Sequence, residues 1–321
     1  MVRKRIKNIW EVIAETFVSF DEDNVFKLSA ALAYYTIFSI APMLMIIIAL
    51  VGFVYGKEAI QGEIYMQINE LVGNSAALQI QEIIKNISSS RETTFATVVG
   101  IITLAFGATG VFTEIQESIN MIWGVKAKPK RGFVKLIFNR VLSFSMVVGM
   151  GFLLIVSLVV NALMTSFGKA LATYFPELTV YVLYGINFIF TFVVITILFG
   201  VIFKVLPDAV IRWRDVGVGA IATAVLFLLG KLGISFYLGQ SDLGTTYGAA
   251  GSLIIILLWV YYSSVILYIG AEFTHVYATK YGRKIMPTEY AVLVESIEIE
   301  RTVDSDDIKI IHPKSEEMNK I

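Results

Sequence analysis

Ionisable and polar side chains at the edges of long apolar blocks are the residues of this chain with the capacity for chemistry. Glu114 and Glu117, with Gln116 and Asn120, follow one such block at spacings that put Glu114, Glu117 and Met121 on one helical face. Asp215 opens another block beside Arg212 and Arg214, Lys231 interrupts its far part, and Glu272 closes the last block within Gly270-Ala271-Glu272. An ionisable group at such depth is costly unless paired or hydrated, so it marks either an ion pair that fixes helix register or a pathway for a polar solute. The plainer reading is interfacial ion pairing, for example Glu272 with Arg140 or Arg214 and Lys231 with Asp242. The sharper one is a polar vestibule that receives a charged head group or solute. Gly239 to Gly248, which includes Asp242 and Tyr247, is rich in glycine and small polar residues and suits either an exposed turn or a ligand-lined cavity. Pro42, three residues after Ser39, frees a backbone carbonyl inside the first block and predicts a kink.

The elements that must position these groups are membrane spans. The chain has 321 residues, 56% of them hydrophobic and 16% charged, and a mean hydropathy of +0.73. A soluble domain is nearer a quarter charged. A spanning helix needs about 20 largely apolar residues. Lys27 to Lys57 encloses 29 uncharged residues, Glu92 to Glu114 encloses 21, Arg140 to Lys169 encloses 28, Glu177 to Lys204 encloses 26 and Asp242 to Glu272 encloses 29. Asp215 to Lys231 encloses 15, and its apolar pattern continues through Leu232, Ile234 and Phe236. An all-α polytopic membrane protein follows, with six spans near 29–55, 95–113, 141–165, 179–203, 216–237 and 249–271.

Lys and Arg in the connections set the orientation. Five precede span 1, six join spans 2 and 3, and three join spans 4 and 5, against three, one and none on the other side. Both termini are therefore expected in the cytoplasm. Residues 1–27 predict an amphipathic helix, with Ile6, Ile9, Trp10, Ile13, Phe17 and Phe20 on one side, lying on the cytoplasmic leaflet or packed on other cytoplasmic segments. Residues 57–90 predict two amphipathic helices over the outer face. The membrane domain extends over 28–285, and 286–321 reads as a solvated acidic tail whose Tyr290 to Ile299 stretch suits a short strand or helix.

Enzyme signatures are missing from the sequence. The two histidines, His275 and His312, cannot build an imidazole metal cluster, there is no cysteine, and no nucleotide or nucleophile-elbow motif occurs. Gly107-Ala108-Thr109-Gly110 lacks the lysine and preceding strand of a phosphate loop and reads as close helix packing, as do Gly217, Gly219, Ala220 and Ala224. No catalytic residue, metal or cofactor is expected. The 26 basic and 26 acidic residues leave no excess charge for nucleic acid. Membrane lipids are the expected partners, and a homo-oligomer or a cytoplasmic protein reached through the tail stays open.

Several strings resemble one family. Ser29–Pro42 (SAALAYYTIFSIAP) resembles the first helix of the YihY/BrkB family of bacterial inner-membrane proteins. The likeness continues through Glu117–Trp123 (ESINMIW), Phe203–Pro207 (FKVLP), Trp213–Asp215 (WRD), Tyr247–Ser252 (YGAAGS), Leu258–Tyr262 (LWVYY) and Gly270–Phe273 (GAEF), over roughly residues 20 to 280. The resemblance implies a six-helix inner-membrane protein. Some family members are linked to lipid or lipopolysaccharide export, one branch is named for a virulence phenotype, and an old ribonuclease label is widely regarded as a misassignment. The expected function is a transporter or flippase for a lipid or other amphiphile. A non-transporting envelope scaffold is the alternative, and a ribonuclease is the weakest reading.

Overall fold

A computed structural model describes residues 2–55, 69, 74–89, 110–128, 141–142, 145–153, 155–157, 159–160, 163–164, 166–168, 176–241, 247 and 250–294. The described chain is mostly helical: α1 (Val2–Glu22), α2 (Val25–Tyr55), α3 (Asn74–Ser89), α4 (110–122), α5 (Pro176–Val205), α6 (Trp213–Gln240) and α7 (Gly251–Tyr281), with further helical stretches between 141 and 168. Tyr181–Val205, Trp213–Gln240 and Leu253–Tyr281 are long and apolar enough to cross a membrane. At most 39% of the residues in the most apolar window of each is buried, so their outer faces are apolar and unsuited to water. Helix α2 continues through Pro42 for 31 residues. The expected second span lies almost wholly outside the described residues, and the third lies partly outside them.

Helices α2 and α6 each pack on α7, α5 lies on α6, and α3 rests on α2, α6 and α7. An aromatic series carries the core across three of them: Phe199 meets Phe227 at 5.8 Å, and Phe227 meets Trp259 edge-on at 6.2 Å. Helix α1 buries Val12, Thr16 and Phe20, spaced one turn apart, and packs on α7, while Trp10 and Phe17 remain exposed. Glu15 and Lys280 form an ion pair across that contact. The amphipathic pattern of α1 thus serves tertiary packing on one side and leaves an apolar strip on another.

Tight turns set the helix ends. Asn24, at φ 52°, joins α1 to α2 in the left-handed region that asparagine tolerates. Gly124, at φ +63°, terminates α4 and hands the chain to β1 (Val125–Ala127). Four short strands fasten the loops on the α1 face. β1 pairs antiparallel with β4 (Ala291–Leu293), in register Val125 to Leu293, and β2 (Ala209–Val210) pairs with β3 (Met286–Pro287). Residues 286–294, expected to open a solvated tail, are therefore tied to the connections after α4 and between α5 and α6. Residues 295–321 lie outside the described part.

Candidate functional site

Glu272 lies nine residues before the end of α7, not at its boundary, because residues 273–281 continue the helix to pack on α1. Its side chain has no exposed surface, and neither carboxylate oxygen has a hydrogen-bond partner. The Asp23 carboxyl, from the α1–α2 turn, lies against it. Two carboxyls in contact can share a hydrogen bond only when one of them carries the proton. The expected pairing with Arg214 is not made: Arg214 is exposed on α6, and Arg140 lies outside the described residues. The reason is depth, since Arg214 sits at the exposed start of α6 and Glu272 is enclosed by α2, α4 and α7.

Small residues make that enclosure possible. A Cβ on Gly270 would lie 2.0 Å from Thr223 Oγ1, so α6 closes on α7 just before the glutamate. The Trp123 indole donates to the Ala271 carbonyl at 3.1 Å, and His275, one turn further on, lies against the backbone of Ile122. The end of α4 is thereby fixed on both sides of Glu272.

Ser29, Ser118 and Tyr268 are at most 2% exposed, and their hydroxyls are unpartnered. Gly110 lies beside Ser39 and Tyr35, so α4 runs antiparallel to α2 and brings Ser118 toward the level of Ser29. Ser118 faces both Tyr268 and Glu114. Buried polar groups are normally satisfied. Tyr268 and Glu272, one turn apart on α7, with Ser118 against Tyr268, make a buried polar layer within the apolar core.

The other predicted residues fall elsewhere. Asn120 turns toward the α5–α6 loop: its Nδ2 donates to Asp208 Oδ2 at 3.0 Å, and its Oδ1 accepts from the Asp208 backbone N–H at 2.8 Å. Gln116, one turn earlier, donates to Asp208 Oδ1 at 3.3 Å. Glu117 and Met121 are exposed, so the face expected to hold them with Glu114 points outward there. Asp215 is buried at the start of α6 with Oδ2 unpartnered and 2.5 Å from where a Cβ on Gly282 would stand. Lys231 lines a groove with α5 toward the opposite face, Tyr247 is exposed, and Asp242 lies outside the described residues. Glu272 and Glu114 thus border one layer, and Asp215, Lys231 and Asn120 serve three other places. Among the described residues no three His, Asp or Glu side chains gather as a metal site.

Sequence reasoning missed Asp208, Trp123, Ser29, Ser118 and Tyr268 as site-forming residues. For Trp123, Ser29 and Ser118 the available signal was their occurrence within the same strings, ESINMIW and SAALAYYTIFSIAP, that carry the family resemblance; Asp208 and Tyr268 lie outside them.

Comparison with known proteins assigns those strings. Residues 16–290 match the family described as virulence factor BrkB. The chain belongs to this family. A UPF0761 membrane protein of Alcanivorax borkumensis is 27% identical over 84% of this chain and 61% of its own length. One from Pseudoalteromonas atlantica is 27% identical over 83% and 85%, and one from Stenotrophomonas maltophilia is 30% identical over 79% and 57%. The chain accordingly spans about 60% of the length of two of these relatives. No solved structure matches it. The BrkB-family chain is an integral membrane protein, and the names of these relatives state no enzymatic activity.

Proposed function

We propose that this BrkB-family chain is an inner-membrane transporter, flippase-like in mechanism, for a lipid or other amphiphile. One observation carries the reading: Glu272 is wholly buried in the helix bundle with neither oxygen hydrogen-bonded, one turn from the buried hydroxyl of Tyr268, which lies against Ser118. Such a group inside a membrane bundle costs stability, and its presence points to a functional use. Six spans with both termini in the cytoplasm fit the charge pattern, and Lys27, Lys126, Lys128, Arg212, Arg214, Arg283 and Lys284 are all exposed on the α1 face. With no nucleotide-binding segment in the sequence, movement would be passive or ion-coupled.

Reconstitution into liposomes, with lipid translocation and small-ion leak followed in the same vesicles, tests the proposal. Faster lipid movement without ion leak, reduced by Glu272→Gln, supports it. Folded protein that moves no lipid overturns it and favours the scaffold reading, for which the exposed Trp10 and Phe17 of α1 supply a membrane-facing surface.

A further inference from the structure

Helices α5 and α6 diverge toward the face away from α1 and leave a groove of about 510 Å³ between them. It is lined on α5 by Tyr184, Asn187, Phe188, Thr191 and Phe192, and on α6 by Val225, Leu228, Leu229, Lys231 and Leu232. Volumes of this order suit small ligands. The two helices run antiparallel, Gly200 meeting Ala220, so Tyr184 and Asn187 stand at the level of Lys231 and Leu232, while Phe192 stands near Val225. The groove therefore has a polar upper end and an apolar lower end, separated by about 12 Å along the helices.

Position makes this polarity specific. Lys231 lies nine residues before Gln240, about 13 Å inside the end of α6. Its stem can run along the apolar wall while the ammonium reaches outward. A lysine at one end of an apolar groove offers a positive charge to the phosphate of a lipid head group, an attraction that strengthens where water is scarce. Lys231 and Asn187 both already have interaction partners, so the assignment rests on a positive charge at one end of an apolar groove, not on a vacant bond. A head group with a negative charge at the level of Lys231 and a chain along Phe188, Phe192, Val225 and Leu228 fits that arrangement. A zwitterionic lipid fills the same apolar part and gains less from the lysine.

We propose that the α5–α6 groove is a binding site for an anionic phospholipid, with Lys231 beside the phosphate and the acyl chain between Phe192 and Val225. The site stands whether or not the protein moves lipid, because the test reads binding alone. Full-length delipidated protein in detergent is titrated with dioleoyl-phosphatidylglycerol or dioleoyl-phosphatidylcholine, and the first binding event is followed by native mass spectrometry. The expected result is at least a tenfold preference for the glycerol lipid, reduced to no preference in Lys231→Gln. Val225→Trp, which fills the apolar end, should weaken both lipids at least fivefold. Excess inorganic phosphate should not displace the lipid. The proposal falls if the wild type shows no preference, if Lys231→Gln keeps it, if Val225→Trp binds both lipids as the wild type does, or if phosphate alone competes. Should Lys231→Gln fail to fold, the wild-type preference and Val225→Trp decide the matter.

Discussion

Gly219 of α6 receives the side chain of Thr274 from α7: a Cβ built on Gly219 would lie 1.9 Å from Thr274 Oγ1 and 2.8 Å from its Cβ. The contact is mirrored, with Gly270 of α7 receiving Thr223 of α6. Each threonine donates to the glycine carbonyl one turn earlier on its own helix, Thr223 to Gly219 at 2.7 Å and Thr274 to Gly270 at 2.6 Å. Two glycine notches and two inward-turned hydroxyls thus bring the helices together with no donor left over. In a membrane, where apolar surface alone does not drive helices together, close approach of this kind holds them.

Gly219→Ala and Gly270→Ala should each destabilise the protein, although alanine favours a helix intrinsically by about 0.5–1 kcal/mol. Overpacking at a close contact costs about 1–3 kcal/mol, which exceeds that gain. Gly233→Ala is the control, since nothing lies within 4 Å of its added methyl. Thermal unfolding in detergent should show lower midpoints for the first two and an unchanged or higher one for the third. Equal midpoints for all three would refute the notch.

Asn120→Ala should cost about 1–3 kcal/mol, because it leaves a backbone N–H and a carboxylate oxygen of Asp208 unbonded. Asp208→Ala removes the carboxylate and keeps the N–H bond, so a double-mutant cycle should show coupling between the two positions. Purely additive losses would mean that the α4 to α5–α6 loop contact contributes no energy.

The membrane class and three spanning helices were legible because long apolar runs report burial in lipid with little dependence on tertiary detail. Helix α7 was read as ending at 271, ten residues short, because residues 272–281 mix Glu272, Thr274, His275 and Lys280 with apolar positions. That mixture resembles a boundary in sequence but is set by packing on α1. Glu272 stood out by residue type, yet its environment did not, since Asp23 and Ser118 are remote in the chain. Asp208 was invisible for the same reason: its bonds to Asn120 span 88 residues. Ser29 and Tyr268 sit in strongly apolar helices, where a lone hydroxyl is ordinarily silent.

Truncation should separate the strand-forming residues 286–294 from the acidic remainder of the C-terminal segment. Removing 286–321 deletes both strand partners, β3 and β4, together with the Val294 N–H to Gly124 carbonyl bond of 2.8 Å. Removing 295–321 spares them. The shorter deletion should leave the unfolding midpoint unchanged and the longer one lower it. A test of partner capture by the tail therefore belongs to the shorter deletion. Identical midpoints for both would show that the two ribbons contribute nothing to stability.

Asp23 and Glu272 separate a structural role from a functional one. Each carboxylate faces the other, and neither Glu272 oxygen accepts a hydrogen bond. Asp23→Asn replaces the second carboxyl by an amide that can donate to Glu272, and an ordinary hydrogen bond contributes about 0.5–1.5 kcal/mol. Its unfolding midpoint should rise. Glu272→Gln keeps the side chain's shape, removes the ionisable group and offers a fixed donor to Asp23, so its midpoint should rise as well, while lipid movement in liposomes falls. Stability and activity moving in opposite directions is the behaviour of a residue retained for function at the expense of stability. A drop in midpoint for Glu272→Gln would show that the carboxylate is itself a structural support, and the polar layer would lose its claim to be the working site.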